Sequence, residues 1–379
     1  MNPDYLDIAG RIAARLCRDA LWSRGRCNWT ADFLDDDSVA HAALGPNLYA
    51  GTSGIALFLA RMAHATGERI FQLTAVGALR QALDQLPAAG RGLYSGGMGI
   101  HYVAAEMDRE IDEVGVMREA ALDRSELDVI GGSGGAIAVL LYLHRRTQAP
   151  RLLEAAMQHG DLLLAEASKE ENGWSWRTIE TAKNLTGFSH GAAGIGWALA
   201  ELYAVTQEGR FRAAAMEAFR YERSYWNPAE RNWPDFRGAE PEYPVLWCHG
   251  AAGIGFSRLR AWQILDEKEL LVEALNALVT VREDMRSPEN YSLCHGEMGN
   301  ADLLIYASQV LSDEAWLTPA RAAAEEGFER FERRRVPWPC GLPGADETPD
   351  LMLGLAGIGH LYLRIADPLR TPTVLLPAC

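Results

Sequence analysis

The sequence predicts an all-α fold built from helical hairpins. Three observations carry that expectation. A Gly-x-x-Gly segment recurs seven times, each copy runs into an apolar stretch of about ten residues, and amphipathic stretches of helical periodicity lie between the copies. No β-rich segment of alternating polarity competes with this reading.

Taken in chain order, residues 1–46 read as a helical lead-in and the repeats occupy 47–366. The copies are NLYAGTSGIALFLARM from Asn47, GLYSGGMGIHYVAAEM from Gly92, DVIGGSGGAIAVLLYL from Asp128, GFSHGAAGIGWALAEL from Gly187, LWCHGAAGIGFSRLRA from Leu246, SLCHGEMGNADLLIYA from Ser292 and DLMLGLAGIGHLYLRI from Asp350. Their first glycines are separated by 45, 36, 59, 59, 46 and 58 residues. Such a period, with irregular insertions, suits one helix pair per repeat and loops that vary on one face. Stretches such as IGWALAEL are too apolar around their circumference for a surface helix, so they form the inner layer. Outer helices start near Arg69, Arg151, Phe211, Glu269 and Ala315, where apolar residues recur at three and four spacings. Residues 367–379 make a C-terminal tail, and the whole chain, 1–379, reads as one domain. The glycines allow close backbone approach and a left-handed turn at the mouth of each inner helix. Asn47, Asp128 and Asp350 stand four residues before a first glycine, where they suit turns or caps. Seven hairpins can stack as an open solenoid or close into a ring, and only a ring brings equivalent positions to one mouth.

Composition narrows the partners. Lys and Arg number 36 against 51 Asp and Glu, a formal charge of −15 in 379 residues. That balance argues against nucleic acid or an anionic membrane as the main partner, since both need a basic footprint. No run of about 18 apolar residues appears. The opening MNPDYLDIAG is acidic and polar where a signal peptide would be basic and then apolar, so the expectation is a cytoplasmic chain that is not an integral membrane protein. Six cysteines at 17, 27, 248, 294, 340 and 379 are too scattered for a disulfide framework.

The two residues before each first glycine are Tyr49 and Ala50, Tyr94 and Ser95, Ile130 and Gly131, Ser189 and His190, Cys248 and His249, Cys294 and His295, Met352 and Leu353. Metal-binding types occupy this position in the fourth, fifth and sixth repeats only. If the repeats close into a barrel, Cys248, Cys294 and His295 reach one ion. Two thiolates and one imidazole favour Zn²⁺, one per chain, with a fourth position open. Such a site is formally neutral and a weak Lewis acid, but it binds and deprotonates a further thiol, so thiol addition is favoured over hydrolysis. As buried core residues the same side chains would need no metal, but two Cys-His-Gly triplets in consecutive repeats weigh against that.

With these motifs, notably GFSHGAAGIG from Gly187, WCHGAAGIG from Trp247 and SLCHGEMGN from Ser292, the chain resembles the lanthionine synthetase C-like family, the cyclases of lanthipeptide biosynthesis, from Asn47 to Ala366. The resemblance implies a closed α/α barrel, a toroid of seven hairpins, with zinc at its mouth on Cys248, Cys294 and His295. It also implies intramolecular addition of a peptide Cys thiol to dehydroalanine or dehydrobutyrine, giving a thioether ring. The enolate left by that addition must be protonated. His190, at the homologous rim position, is the natural acid and matches the family's catalytic histidine, while Asp128 matches its rim aspartate and would orient or charge a histidine. The implied partners are a dehydrated precursor peptide and a separate dehydratase, in the cytoplasm or in a membrane-associated biosynthetic complex.

His249 stands where many relatives carry Tyr, and Pro244 where some carry Arg. His249 has three readings: assisting proton transfer, replacing a metal ligand, or bonding a backbone carbonyl. The long aromatic segment before the fifth repeat, with Trp226, Trp233, Asp235, Phe236 and Arg237, is expected either to form a lip that grips the peptide or to pack locally. Cys17, Cys27, Cys340 and Cys379 match no rim position. Two other functions fit the same sequence: addition of glutathione or another small thiol to dehydrated residues in proteins, and a helical peptide-binding scaffold without catalysis.

Overall fold

The computed structural model describes residues 4–35, 38–285, 290–342 and 347–377. Each Gly-x-x-Gly segment opens one helix of an inner layer, its first glycine being the residue just before the helix. These are α2 (Thr52–Thr66), α4 (Gly97–Glu106), α6 (Ser133–Thr147), α8 (Ala192–Thr206), α10 (Ala251–Leu265), α12 (Glu297–Leu311) and α14 (Leu355–Ala366). Outside them lie α1 (Tyr5–Asp19), α3 (Arg69–Asp84), α5 (Glu113–Glu119), α7 (Pro150–Glu166), α9 (Gly209–Ser224), α11 (Lys268–Asp284) and α13 (Leu317–Gly327), the last continuing as a π-turn over Phe328–Glu332. Successive inner helices pack side by side, and α14 packs back on α2, so the layer is a closed ring.

Backbone hydrogen bonds at the mouth close the same circle. Tyr49 N donates to Tyr94 O (2.9 Å), Tyr94 N to Ile130 O (3.0 Å), Val129 N to Ser189 O (3.2 Å) and Ser189 N to Cys248 O (3.1 Å). Cys248 N then donates to Cys294 O (3.4 Å), Cys294 N to Met352 O (3.0 Å), and Met352 N to Tyr49 O (2.9 Å). Nearly every participant lies two residues before a first glycine, so the rim positions compared in the sequence are neighbours in space. The chain is an α/α barrel of seven helical hairpins.

The glycines work differently from expectation at one point. A Cβ on the second glycine of a pair would collide with the carbonyl oxygen of the rim segment six residues earlier, at 1.9 Å from Leu93 O for Gly99 and 1.9 Å from Trp247 O for Gly253. Close approach is therefore their role. The left-handed turn expected of the first glycines occurs only at Gly250, with φ +84°; the other six are extended. Gly250 follows the Cys248–His249 pair directly, and its Cβ would stand 1.7 Å from Pro244 O.

Residues 1–46 are not simply a helical lead-in. Helix α1 is capped by Asp4, whose Oδ1 accepts from Leu6 N and Asp7 N, and it buries Ile8, Ile12 and Leu16. It packs on α14 and so serves as the outer helix of the last hairpin, across the ring closure. Two antiparallel β-hairpins follow: β1 (Leu21–Ser23) pairs with β2 (Arg26–Asn28), and β3 (Thr30–Asp35) with β4 (Ser38–Ala43). The first turns through Arg24 and Gly25, both at positive φ, as a two-residue hairpin with right-handed strand twist requires. A third short ribbon, β5 (Ser168–Glu170) with β6 (Gly173–Ser175), connects α7 to the fourth repeat.

The C-terminal segment runs into the barrel. Val374, Leu375 and Leu376 are buried, the Tyr94 hydroxyl donates to Val374 O (2.8 Å), and Trp247 Nε1 donates to Leu375 O (3.0 Å). Thr373 Oγ1 meets Asp302 on α12 at 2.6 Å. The C-terminal segment thus packs the lumen beneath Tyr94 and Trp247. No helix among the described residues is long and apolar enough to cross a membrane.

Candidate metal centre

Three side chains from two adjoining repeats converge at the mouth. The sulfurs of Cys248 and Cys294 and a ring nitrogen of His295 all lie within 4.8 Å of one another. Cys294 is 4% exposed, while Cys248 and His295 are half-buried and face the opening. The His295 ring is oriented from behind: Nε2 donates to Gly341 O at 2.7 Å, which leaves Nδ1 unprotonated for an ion. A side chain at 341 would clash, since a Cβ there would stand 2.7 Å from His295 Nε2. Two thiols and a fixed neutral imidazole fit a zinc-type ion that keeps one coordination position for an incoming group.

The two sulfurs share a proton unequally. A hydrogen bond from Cys294 holds Cys248 below the ordinary thiol range, and the Arg237 guanidinium adds to the effect. Sharing that proton, together with burial, holds Cys294 well above it. The Tyr49 hydroxyl lies close enough to Cys294 to lower that thiol's range slightly, against burial.

In the adjacent repeat, His190 Nδ1 lies 2.5 Å from Asp128 Oδ2. Asp128 is 6% exposed and uses its other oxygen to accept from Gly131 N at 2.8 Å. Asn47 and Asp350 make the same turn bond, to Ala50 N at 2.9 Å and Leu353 N at 2.8 Å. Asp128 therefore does what its homologues do and, with its second oxygen, engages His190. With Nδ1 occupied, Nε2 is the His190 nitrogen left to meet a substrate. Glu222, on α9, steadies the His190 segment: its Oε1 accepts from Gly187 N (3.0 Å) and Ala193 N (2.8 Å). Burial lifts this carboxyl to about 8, opposed by Arg258 and by these two N–H bonds.

His249 is 1% exposed, and neither ring nitrogen has a hydrogen-bond partner among the described residues. It bonds no backbone carbonyl, contrary to one reading of the sequence, and it stands outside the Cys248–Cys294–His295 group. Its nearest charged neighbour is Asp235, at 3.8 Å from Nδ1, and its ring centroid lies 6.0 Å from that of His190. Burial lowers its pKa to about 4, opposed by Asp235, so the ring is neutral at pH 7.

The aromatic segment packs rather than projects. Trp233 and Phe236 are 1% and 7% exposed, with Trp226 edge-on to Trp233 at 4.5 Å and Tyr225 edge-on to Phe236 at 5.0 Å. What this segment offers the mouth is Arg237. Cys17, Cys27 and Cys340 are free thiols; Cys27 Sγ donates to Thr74 O, and Cys340 Sγ accepts from Thr348 N. Cys379 lies outside the described residues. Tyr49 and Glu222 carried no signal in the sequence, because a phenol at a rim position and a Glu on an outer helix are ordinary there.

Comparison with known proteins agrees with this geometry. The family model described as lanthionine synthetase C-like protein matches residues 42–376. Glutathione S-transferase LANCL1 of Danio rerio is 22% identical over 348 residues, which cover 85% of this chain and 82% of that protein. Among solved structures, nisin cyclase superposes with a TM-score of 0.67 at 17% identity, covering 88% of this chain and 91% of its own. A GH76 alpha-mannanase of Bacteroides thetaiotaomicron does so with a TM-score of 0.57 at 13% identity over 97% of both chains. These likenesses concern the barrel. The cysteines and histidines at its mouth are what bear on chemistry.

Proposed function

Because the chain belongs to the lanthionine synthetase C-like family, we propose that it is a zinc-dependent lanthipeptide cyclase, which adds Cys thiols of a dehydrated precursor peptide to dehydroalanine or dehydrobutyrine to form (methyl)lanthionine rings. The convergence of Cys248, Cys294 and His295 at the mouth of a closed barrel carries this reading. These residues would hold one zinc ion, whose charge, with a thiol as its fourth ligand, keeps that thiol deprotonated and nucleophilic at neutral pH.

The other steps fall to the chain's own side chains. When sulfur bonds to the β-carbon, the electron pair of the C=C bond moves toward the carbonyl and leaves an enolate. His190, held at Nδ1 by Asp128, delivers a proton from Nε2 to the α-carbon. The packed lumen below keeps the peptide at the rim. On this reading the chain, taken as one domain over 1–379, acts on a peptide whose Ser and Thr are already dehydrated, and a separate dehydratase is the proposed partner that supplies it.

Asp128→Asn isolates one of these roles. Asn keeps the turn bond to Gly131 N, as Asn47 does in the first repeat, but removes the negative charge from His190. Ring formation is expected to slow by about 10- to 100-fold with zinc content unchanged. Adding His190→Asn to this variant should cost no more than His190→Asn alone, which single-turnover rates would show.

A second reading has its own observation: one relative is named a glutathione S-transferase. On that reading the same centre adds glutathione to dehydrated residues. Incubating the zinc-loaded protein with a dehydrated, Cys-containing peptide, with and without glutathione, separates the two by mass. Rings leave the mass unchanged and protect the thiol from alkylation, whereas each adduct adds one glutathione. Absence of both products removes the thiol-addition reading.

A further inference from the structure

Resting on the cyclase reading, we propose that Arg237 is a catalytic residue that holds the carbonyl oxygen of the attacked dehydro residue as it becomes an enolate oxygen. Arg237 lies in the loop between α9 and α10, and its guanidinium is fixed on the carboxylate of Asp235. Nε stands 2.8 Å from Oδ2 and 3.2 Å from Oδ1, Nη2 stands 2.7 Å from Oδ2, and the backbone N–H of Arg237 donates to Oδ1 at 3.0 Å. Asp235 is itself 5% exposed, so this anchor is set in the wall. Its Oδ2 lies 3.8 Å from the ring of His249, the residue after Cys248, which pins the cation beside the metal centre. The Arg237 side chain is nevertheless 47% exposed, and Nη1 makes no hydrogen bond to the described residues. A rigidly held cation thus keeps a solvent-accessible donor one residue pair away from His249 and Cys248. Its charge is felt at both Cys248 and Cys294. The ammonium of Lys183 in the same region lies over the rings of Phe236 and Tyr225.

The reaction has a place for such a group. Negative charge begins on sulfur, where the metal centre balances it. Once the S–C bond forms at the β-carbon, the C=C pair shifts to lie between the α-carbon and the carbonyl carbon, and the carbonyl pair moves to oxygen. Charge has then moved to an atom that the sulfur ligands do not serve. A preorganised N–H donor carrying full positive charge stabilises it there without reorganising solvent. When the α-carbon takes a proton from His190 Nε2, the pairs return and the amide is restored. The proton released by the thiol passes to solvent and solvent returns one to His190 Nε2, so one proton has left sulfur and one has reached carbon, with no change in oxidation state. A planar fork with Nε and Nη2 on Asp235 and the Nη1 group left over is better suited than a lysine, whose ammonium could not keep both partners.

The test compares Arg237→Gln and Arg237→Lys with the wild-type zinc-loaded protein on one dehydrated peptide. Arg237→Gln is expected to lower kcat by about 100-fold or more, with KM changed by less than about 3-fold and zinc content unchanged, as for loss of one oxyanion donor. Arg237→Lys should recover part of the rate. As a readout independent of turnover, a peptide in which a nitronate replaces the enolate should bind Arg237→Gln at least about 10-fold more weakly than wild type. An unchanged kcat, a loss confined to KM, or equal nitronate affinity in the two proteins overturns the assignment. A wild-type protein that forms no thioether overturns the cyclase reading instead, and the nitronate comparison still reports on Arg237 by itself.

Discussion

Cys294→Ala is expected to lower bound zinc from one ion per chain to below about a tenth and to abolish ring formation, while the far-ultraviolet helical signal is retained. Cys294 is the most enclosed of the three proposed ligands, with its sulfur within 4.8 Å of the Cys248 sulfur and the His295 ring. Removing it leaves one thiolate and one imidazole, too few to hold a divalent ion against solvent. The fold should survive, because the rim circle runs through the backbone of residue 294, whose N–H and carbonyl bond to Met352 and Cys248 whatever the side chain. The missing sulfur leaves a void costing about 1 kcal/mol, small beside the stability of a barrel of this size. Cys248→Ala should behave alike. Zinc measured by atomic absorption and rings counted by mass after alkylation check both, and a Cys294→Ala protein that kept its metal and its rate would remove the ligand assignment.

The second large effect is expected at His190. His190→Asn should bind zinc normally and form rings about 10²- to 10⁴-fold more slowly, the range for loss of a general acid. The prediction follows from the position of the ring: half-open to the mouth, tied at Nδ1 to Asp128, and free at Nε2. It differs from the cysteine variants in one measurable respect. Because the metal centre is intact, the peptide thiol should still bind, so in a cobalt-substituted protein the thiolate-to-metal charge-transfer band already given by Cys248 and Cys294 should strengthen on addition of peptide, although turnover is slow. Wild-type rates in His190→Asn would mean that another group protonates the α-carbon.

The repeated barrel was legible because its inner helices announce themselves. A glycine pair is needed wherever the helix start crosses the rim carbonyl six residues earlier, so the spacing survives in every repeat, even where the rest of the repeat diverges. The metal group was legible for the same reason: equivalent positions of neighbouring repeats are joined by the circle of rim hydrogen bonds, and so Cys248 and Cys294 must adjoin once the ring closes. Other features depend on contacts that a local pattern cannot carry. Helix α1 closes the ring by packing on α14, more than 330 residues away in sequence, and nothing in its own amphipathic pattern names that partner. The β-hairpins before the first repeat are short and carry no sustained alternation; the ring of Trp22 lies against the site of a Cβ on Gly77 of α3. The burial of Val374, Leu375 and Leu376 inside the lumen is likewise decided by Tyr94 and Trp247 reaching their carbonyls. Composition left the aromatic loop open between a lip and local packing, and its rings pack because Trp226 with Trp233 and Tyr225 with Phe236 meet edge-on.

Zinc K-edge absorption of the purified protein, taken before and after addition of a dehydrated Cys-containing peptide, reports directly on the sulfur ligands. The resting centre should scatter as two sulfurs at about 2.3 Å with one imidazole nitrogen at about 2.0 Å, and the peptide should raise the sulfur count to three. Zinc bound without sulfur, or a count that stays at two while rings form, would contradict a mouth built to receive a thiol.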